Sequence, residues 1–235
     1  MTFSEEGKIT TTTSSSPLYL NFSFFKVDPK WRWLNELGKD EAIKEFSSLI
    51  EVANTKMKVR TYSTVGLRDD TEFMLWMISD SVEKMQVLIS KIYSTILGKY
   101  VEPSHIYLST SRPSLYSNKV VPGFATDEQP MKYAIVYPFV KSREWYLLPY
   151  EERQKMMEEH IMVGRKFPQI RLNTSYSFGV DDQDFMLAFE TNDLMIFQDL
   201  ILQLRETQVS KYIVRDTPML VCIYKGVEDI IKSLG

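Results

Sequence analysis

The sequence is written twice, and this duplication limits what the chain can fold into more than any other feature. YSTVGLRDDTEFMLWM (residues 62–77) returns as YSFGVDDQDFMLAF (residues 176–189). Phe73, Met74 and Leu75 recur as Phe185, Met186 and Leu187, and Asp69-Asp70 recurs as Asp181-Asp182, all at an offset of 112 residues. The same offset carries Trp33 onto Trp145, Leu34 onto Tyr146 and Lys99-Tyr100 onto Lys211-Tyr212.

Each copy reads as the same succession. An apolar strand-like run (LYLNFSFFKV; KYAIVYPFV) leads through a Trp-bearing loop to an amphipathic helix (DEAIKEFSSLIEVA; YEERQKMMEEHIMVG). Two alternating runs follow, joined at a Gly and Asp-Asp turn with hairpin chemistry. A second helix (DSVEKMQVLISKIYSTI; DLMIFQDLILQLRETQV) precedes a final strand (SHIYLS; PMLVCIY). The order β-α-β-β-α-β is the ferredoxin-like unit, so the expected class is α+β, a ferredoxin-like fold in duplicate. One sheet face of such a unit is bare, and two copies can turn these faces together around an apolar interior. The expected divisions are a disordered tail at 1–16, an N-terminal copy at 17–108, a linker at 109–130 and a C-terminal copy at 131–235.

Composition narrows the partners. With 235 residues, 44% of them hydrophobic, the chain can build a sizeable core. The net charge of −3 and the absence of any Lys/Arg run longer than two argue against nucleic acid and anionic membrane surfaces. No apolar run approaches the roughly 20 residues of a membrane helix, and the tail MTFSEEGKITTTTSSS lacks the apolar centre of a signal peptide. A cytoplasmic protein is expected. Cys222 stands alone, which excludes an intrachain disulfide and a Cys-rich zinc site.

The duplication supplies an internal control, because positions recruited for chemistry in one copy need not match the other. At the common offset Tyr137 faces Phe25, Lys141 faces Pro29, His160 faces Ser48, Arg205 faces Tyr93 and Ser210 faces Gly98. The second copy has gained a phenol, an ammonium, an imidazole, a guanidinium and a hydroxyl. His160 has Met156, Met157, Val163 and Gly164 at −4, −3, +3 and +4, so it points with the apolar stripe of its helix. A histidine so placed is either a satisfied core residue or a neutral imidazole facing an apolar cavity, the setting of an axial haem ligand. His105, the only other histidine, has no comparable setting. Tyr137 also reads as an ordinary strand tyrosine, Lys141 as a solvated lysine and Arg205 as a complement to its helix dipole. Trp145, recurring as Trp33, reads as structural.

YPFVKSREWYLLPYEERQKMMEEHIMVGRKF, followed by YSFGVDDQDF and LRETQVSKY, resembles the chlorite dismutase family, and within it the coproheme decarboxylase branch. The carrying pattern is Tyr-Pro-x-x-x-Lys, then Trp-Tyr-x-Leu, Glu-Glu-Arg and a histidine on the next helix. The resemblance implies the α+β barrel of that family and a haem site in the second copy. It implies His160 as proximal ligand to the iron of coproheme or haem b. Tyr137 then corresponds to the tyrosine oxidised to a radical that attacks a porphyrin propionate, releasing carbon dioxide and leaving a vinyl group. Lys141 corresponds to the lysine beside that propionate, and Arg205 and Ser210 to residues binding the other propionates. Hydrogen peroxide is the implied oxidant and a homopentamer the implied assembly.

The resemblance is incomplete at three places. RKFPQIRLNTSYSFG is one residue shorter than the family spacing, so Leu172 or Asn173 takes the distal position that an arginine or glutamine holds in relatives. Arg171 is adjacent, but strand alternation sends it the other way if Leu172 points in. Without a distal guanidinium, efficient chlorite breakdown is not expected. Gln208 falls where relatives carry a glutamate supporting the histidine, and Phe139 replaces a frequent methionine. The expected activity is peroxide-dependent decarboxylation of coproheme to haem b. The alternatives are a peroxidase-like or chlorite-degrading haem protein, a non-catalytic haem carrier or sensor, and an oligomer without cofactor.

Overall fold

The computed structural model describes residues 17–114, 116, 123–126 and 128–235. The expected disordered tail lies outside the described residues, as does part of the expected linker. In the first copy come β1 (Tyr19–Val27), α1 (Glu36–Asn54), β2 (Lys58–Ser63), β3 (Phe73–Ser79), α2 (Val82–Tyr93) and β4 (Val101–Thr110). The second supplies β5 (Tyr133–Lys141), the short α3 (Arg143–Leu147), α4 (Tyr150–Gly164), β6 (Arg171–Tyr176), β7 (Phe185–Thr191), α5 (Leu194–Arg205), β8 (Ile213–Arg215) and β9 (Leu220–Tyr224). A last helix, α6 (Val227–Lys232), follows. The βαββαβ order is therefore present twice, the fourth strand of the second copy being split into β8 and β9, and α6 is an addition that the periodicity did not reveal. β4 runs two residues into the stretch read as linker.

Each copy forms an antiparallel sheet in the order fourth, first, third and second strand: β4-β1-β3-β2 and β9-β5-β7-β6. The sheets join through Tyr62↔Tyr224 and Ser63↔Ile223 at one seam and Thr110↔Tyr176 at the other. The result is a closed ring of eight strands with β8 alongside the end of β5. Closure removes the free edges that an open sheet exposes to association.

Alternation along the strands divides the side chains between two faces. Leu20, Phe22, Phe24, Met74 and Trp76 of the first copy meet Val136, Met186, Ala188 and Leu220 of the second inside the ring. Facing outward, Phe25, Phe73, Leu75 and Met77 pack under α1, α2 and α6, while Ile135, Tyr137 and Phe189 pack under α5 of the second copy. The hairpin turns are made by Gly66 and Gly179, at φ 74° and 73°, a conformation costly for residues with a Cβ.

The offset of 112 holds between β3 and β7 but not throughout: Tyr19 pairs with Thr110 as Tyr133 pairs with Ile223, so β9 matches the end of β4 at 113. Phe25 pairs with Phe73 as Phe139 pairs with Phe185, so β5 matches β1 at an offset of 114. Ser63 pairs with Phe73 as Tyr176 pairs with Phe185, so β6 matches β2 at 113. The first copy carries one more residue before β2 and another in its hairpin. Trp145 therefore matches the buried Trp31, which packs on Tyr100 as Trp145 packs on Tyr212; Trp33 is 83% exposed. Tyr137 matches Ser23 rather than Phe25, and Lys141 matches Val27 rather than Pro29. The offset of 114 carries the buried stripe of α1 (Ala42, Phe46, Ile50) onto Met156, His160 and Gly164, so His160 replaces Phe46 rather than Ser48.

One polar knot crosses the interior. The fully buried Glu190 lies 3.4 Å from Arg60 and 3.2 Å from Arg171, and accepts from Asn173 Nδ2 at 3.0 Å. Arg60 belongs to the first copy and Glu190 to the second, so this carboxylate ties them together. Removing it leaves the buried Arg60 without an ion-pair partner among the described residues, while Arg171 keeps Glu128, and an uncompensated buried charge costs more than the pair's net worth. Glu190→Ala is expected to destabilise the protein by about 3 kcal/mol in urea denaturation, and Glu190→Gln by less.

Candidate functional site

β5 is the platform of the site. Its odd-numbered residues face the helices, placing Ile135, Tyr137, Phe139 and Lys141 in a row. Pro138 is tolerated because β9 pairs only as far as Val136 and β8 begins at Val140, so the proline falls between partners. Leu172 stands opposite Phe189, which stands opposite Ile135, so all three share the helix-facing side. Asn173, named with Leu172 as a distal candidate, points into the ring instead, where its side chain binds Phe124 N, Ala188 O and Glu190. Arg171 lies on that same side, held by Glu190 and Glu128.

Above the platform, α4 has no fully buried residue, although Met156, Met157, His160, Val163 and Gly164 all turn inward and are half-buried. Its counterpart α1 buries Ala42, Phe46, Ile50 and Ala53. A Cβ added at Gly164 would meet nothing within 4 Å. The two copies thus differ in how closely the first helix lies on the sheet.

His160 Nδ1 is buried and has no hydrogen-bond partner among the described residues. Burial, together with the nearby Lys141 charge, pulls its pKa down to about 4, so the ring is neutral near pH 7 and has a lone pair to give. Lys141 is itself buried, its Nζ 3.6 Å from the centre of the Trp145 ring and 3.7 Å from Met157 Sδ. Burial lowers its pKa to about 7, against the opposing field of Asp184. Among the described residues no carboxylate lies within ion-pair distance of this amine. Tyr137 is stacked on Phe189 with 6.0 Å between ring centres, and burial pushes its phenol pKa up.

The remaining candidates occupy the rim. Arg205 is exposed and lies 3.4 Å from Asp216, and both charges act on Tyr137. Ser210 Oγ lies 2.6 Å from Thr207 O and 2.8 Å from Arg205 O. Gln208 turns away from His160: it is exposed, its side-chain oxygen accepts from Lys211 Nζ at 2.6 Å, and its N–H donates to Glu159. The structure therefore places Tyr137, Phe139, Lys141 and Leu172 on the helix-facing side of the sheet, with His160 near enough to feel the Lys141 charge, sets Arg205 and Ser210 at the edge, and leaves Asn173 and Gln208 outside.

Sequence reasoning missed three neighbours. Trp145 was read as structural because it recurs, yet the Lys141 amine sits on its ring. Met157 was read only as helix packing. Asp184 accepts from both Lys141 N at 2.8 Å and Tyr146 Oη at 2.7 Å, and lies in the hairpin motif that was read only as turn chemistry.

The donor set fits an iron porphyrin. A neutral imidazole whose buried Nδ1 has no partner among the described residues stands on the helix above an aromatic strand face, and a buried amine with no carboxylate at ion-pair distance among those residues lies near it. The depressed His160 pKa also has a sign that can be tested in the ligand-free protein. The unfolded chain takes up this proton near pH 6.5 and the folded chain only near 4, so stability should fall as pH drops through that window. Urea denaturation is expected to show a loss approaching 3 kcal/mol between pH 6.5 and 4, and His160→Gln should remove that component.

Known proteins agree with this architecture. The family model described as chlorite dismutase matches residues 39–225. A coproheme decarboxylase from Mycolicibacterium smegmatis is 37% identical over 226 residues, covering 94% of this chain and 96% of the relative. A chlorite dismutase from Ideonella dechloratans is 25% identical, covering 94% and 81%. The structure of chlorite dismutase from Candidatus Nitrospira defluvii in complex with imidazole superposes with a TM-score of 0.85 at 25% identity, covering 94% of this chain and 96% of that one. The chain belongs to the chlorite dismutase family.

Proposed function

We propose that this protein binds coproheme through His160 and converts it to haem b with hydrogen peroxide. The observation that carries the reading is the pairing, on one strand face beneath the His160 helix, of a buried phenol, Tyr137, with a buried amine, Lys141, that has no carboxylate at ion-pair distance among the described residues. A bound iron porphyrin supplies the redox chemistry, accepting oxidising equivalents from peroxide and passing them to the protein. Each propionate loses carbon dioxide, a proton and two electrons as its vinyl group forms. One peroxide molecule takes up two electrons and two protons to give two waters.

The chain's own residues divide this work. Lys141 holds the reacting carboxylate as its ammonium form, and the Trp145 face keeps that amine in place. Arg205 and Ser210, at the rim, contact the other carboxylates. Tyr137 keeps its proton in the resting protein because burial disfavours the phenolate. On oxidation it loses its phenolic hydrogen, and the resulting tyrosyl oxygen takes a hydrogen atom from the propionate chain. Leu172 leaves the opposing side apolar. The guanidinium nearest to it in sequence, Arg171, is held on the other face of β6, which argues against chlorite breakdown. The reading includes cytoplasmic residence and assembly as a homopentamer.

Iron coproporphyrin III added to the ligand-free protein, followed by peroxide and mass spectrometry, tests the proposal. Wild type is expected to lose two carboxyl groups stepwise, one peroxide consumed for each. Tyr137→Phe should bind with unchanged affinity yet lose at least a hundredfold in decarboxylation, the order of a step that depends on one group. His160→Ala should weaken binding and abolish the axial-imidazole spectrum. Binding without loss of carbon dioxide would sink the reaction and leave a haem carrier.

A further inference from the structure

The end of the first strand, β1 in one copy and β5 in the other, is fastened in the same way in both. In the first, Glu72 Oε2 accepts the N–H of Val27 at 2.7 Å, and its other oxygen lies 2.9 Å from the Lys26 ammonium. In the second, Asp184 Oδ2 accepts the N–H of Lys141, the structural counterpart of Val27. The same oxygen also accepts the Tyr146 hydroxyl at 2.7 Å. Thus one copy uses the tie to hold an apolar residue and spends the spare oxygen on a surface lysine. The other uses it to hold the site's amine and adds a phenol from the helix that also carries Trp145.

We propose that Asp184 is a positioning residue of the site: by joining the Lys141 main chain to Tyr146 through one oxygen, it holds the Lys141 amine over the Trp145 ring and toward the ligand carboxylate. This rests on the functional reading above and deepens it. The tie matters because Lys141 is the last residue of β5, where the strand passes into the turn leading to α3. A long side chain launched from an unfastened strand end would lose its direction, whereas two donors on a single acceptor fix both ends of the turn relative to each other. Tyr146 and Trp145 are adjacent on α3, so holding the phenol also holds the ring on which the amine rests.

The role predicts a signature specific to carboxylates. Absorbance titration would compare iron coproporphyrin III with iron octaethylporphyrin, which has no carboxylates. Asp184→Ala is expected to weaken coproporphyrin binding by about tenfold and leave octaethylporphyrin unchanged. Asp184→Asn keeps a carbonyl oxygen at the shared position and should restore wild-type affinity. In a Lys141→Ala background the Asp184→Ala change should add nothing, since it acts through that amine. Glu72→Ala breaks the equivalent tie in the first copy and is expected to leave both affinities unchanged. Equal losses with both porphyrins, or additive losses in the double variant, would overturn the assignment. If Asp184→Ala does not fold, Tyr146→Phe takes its place, with the same coproporphyrin-only loss expected and a common loss counting against it. Wild type failing to bind coproporphyrin refutes the functional reading itself, whereas normal binding by Asp184→Ala refutes only this role.

Discussion

A four-stranded sheet with helices on one face must bury the other, and the rest of this structure depends on how that requirement is met. Here the second copy supplies the cover. The two bare faces close into one ring, and Phe22, Phe24 and Trp76 from one half meet Val136, Met186 and Ala188 from the other. This interior is shared and cannot change in one copy without disturbing the other. Each outer face, by contrast, is covered by helices and not by the other sheet, and there the copies are free to diverge.

They have diverged at matched positions. In the first copy Phe46 and Ile50 fill the space between helix and sheet, each worth about 1.5–3 kcal/mol of burial. The second copy has His160 and Gly164 there and forgoes that packing. The first copy is further sealed by α6, whose Ile230 and Ile231 join its core. Ser23 and Val27 become Tyr137 and Lys141 on the opposing strand. The exchanges at Tyr137, Lys141 and His160 bring in groups able to donate, accept or lose an electron, the one at Gly164 removes bulk, and the shared interior carries the stability that the second outer face gives up.

The duplication, the strand order and the face of His160 were legible because they rest on periodicity and identity, which survive in a single sequence. Insertions were not. A repeat read at one offset cannot show that the first copy carries an extra residue before β2 and another in its hairpin, so Trp33 was matched in place of the buried Trp31 and Ser48 in place of Phe46. Leu172 and Asn173 could not be separated without the strand register, although alternation already required that only one of them face the helices. Asp184 was hidden for a different reason. Its role depends on a main-chain N–H and on a phenol 38 residues away, neither of which has a sequence signature.

The electrostatics of the outer face complete the argument for its ligand. A buried amine whose pKa is pulled down to about 7 holds its charge only weakly at neutrality, because burial opposes the charge, the Asp184 field offsets it only in part, and among the described residues no carboxylate lies within ion-pair distance. A carboxylate brought in by a ligand reverses that balance, so its binding and the protonation of Lys141 are thermodynamically linked. The neutral imidazole beside it has the opposite preference, since a metal needs its lone pair unprotonated. One group waits for an anion and the other for a cation, across a floor of Phe139, Tyr137 and Leu187. A flat apolar molecule with a metal at its centre and carboxylates at its edge satisfies both at once, and a ligand lacking either feature satisfies only one.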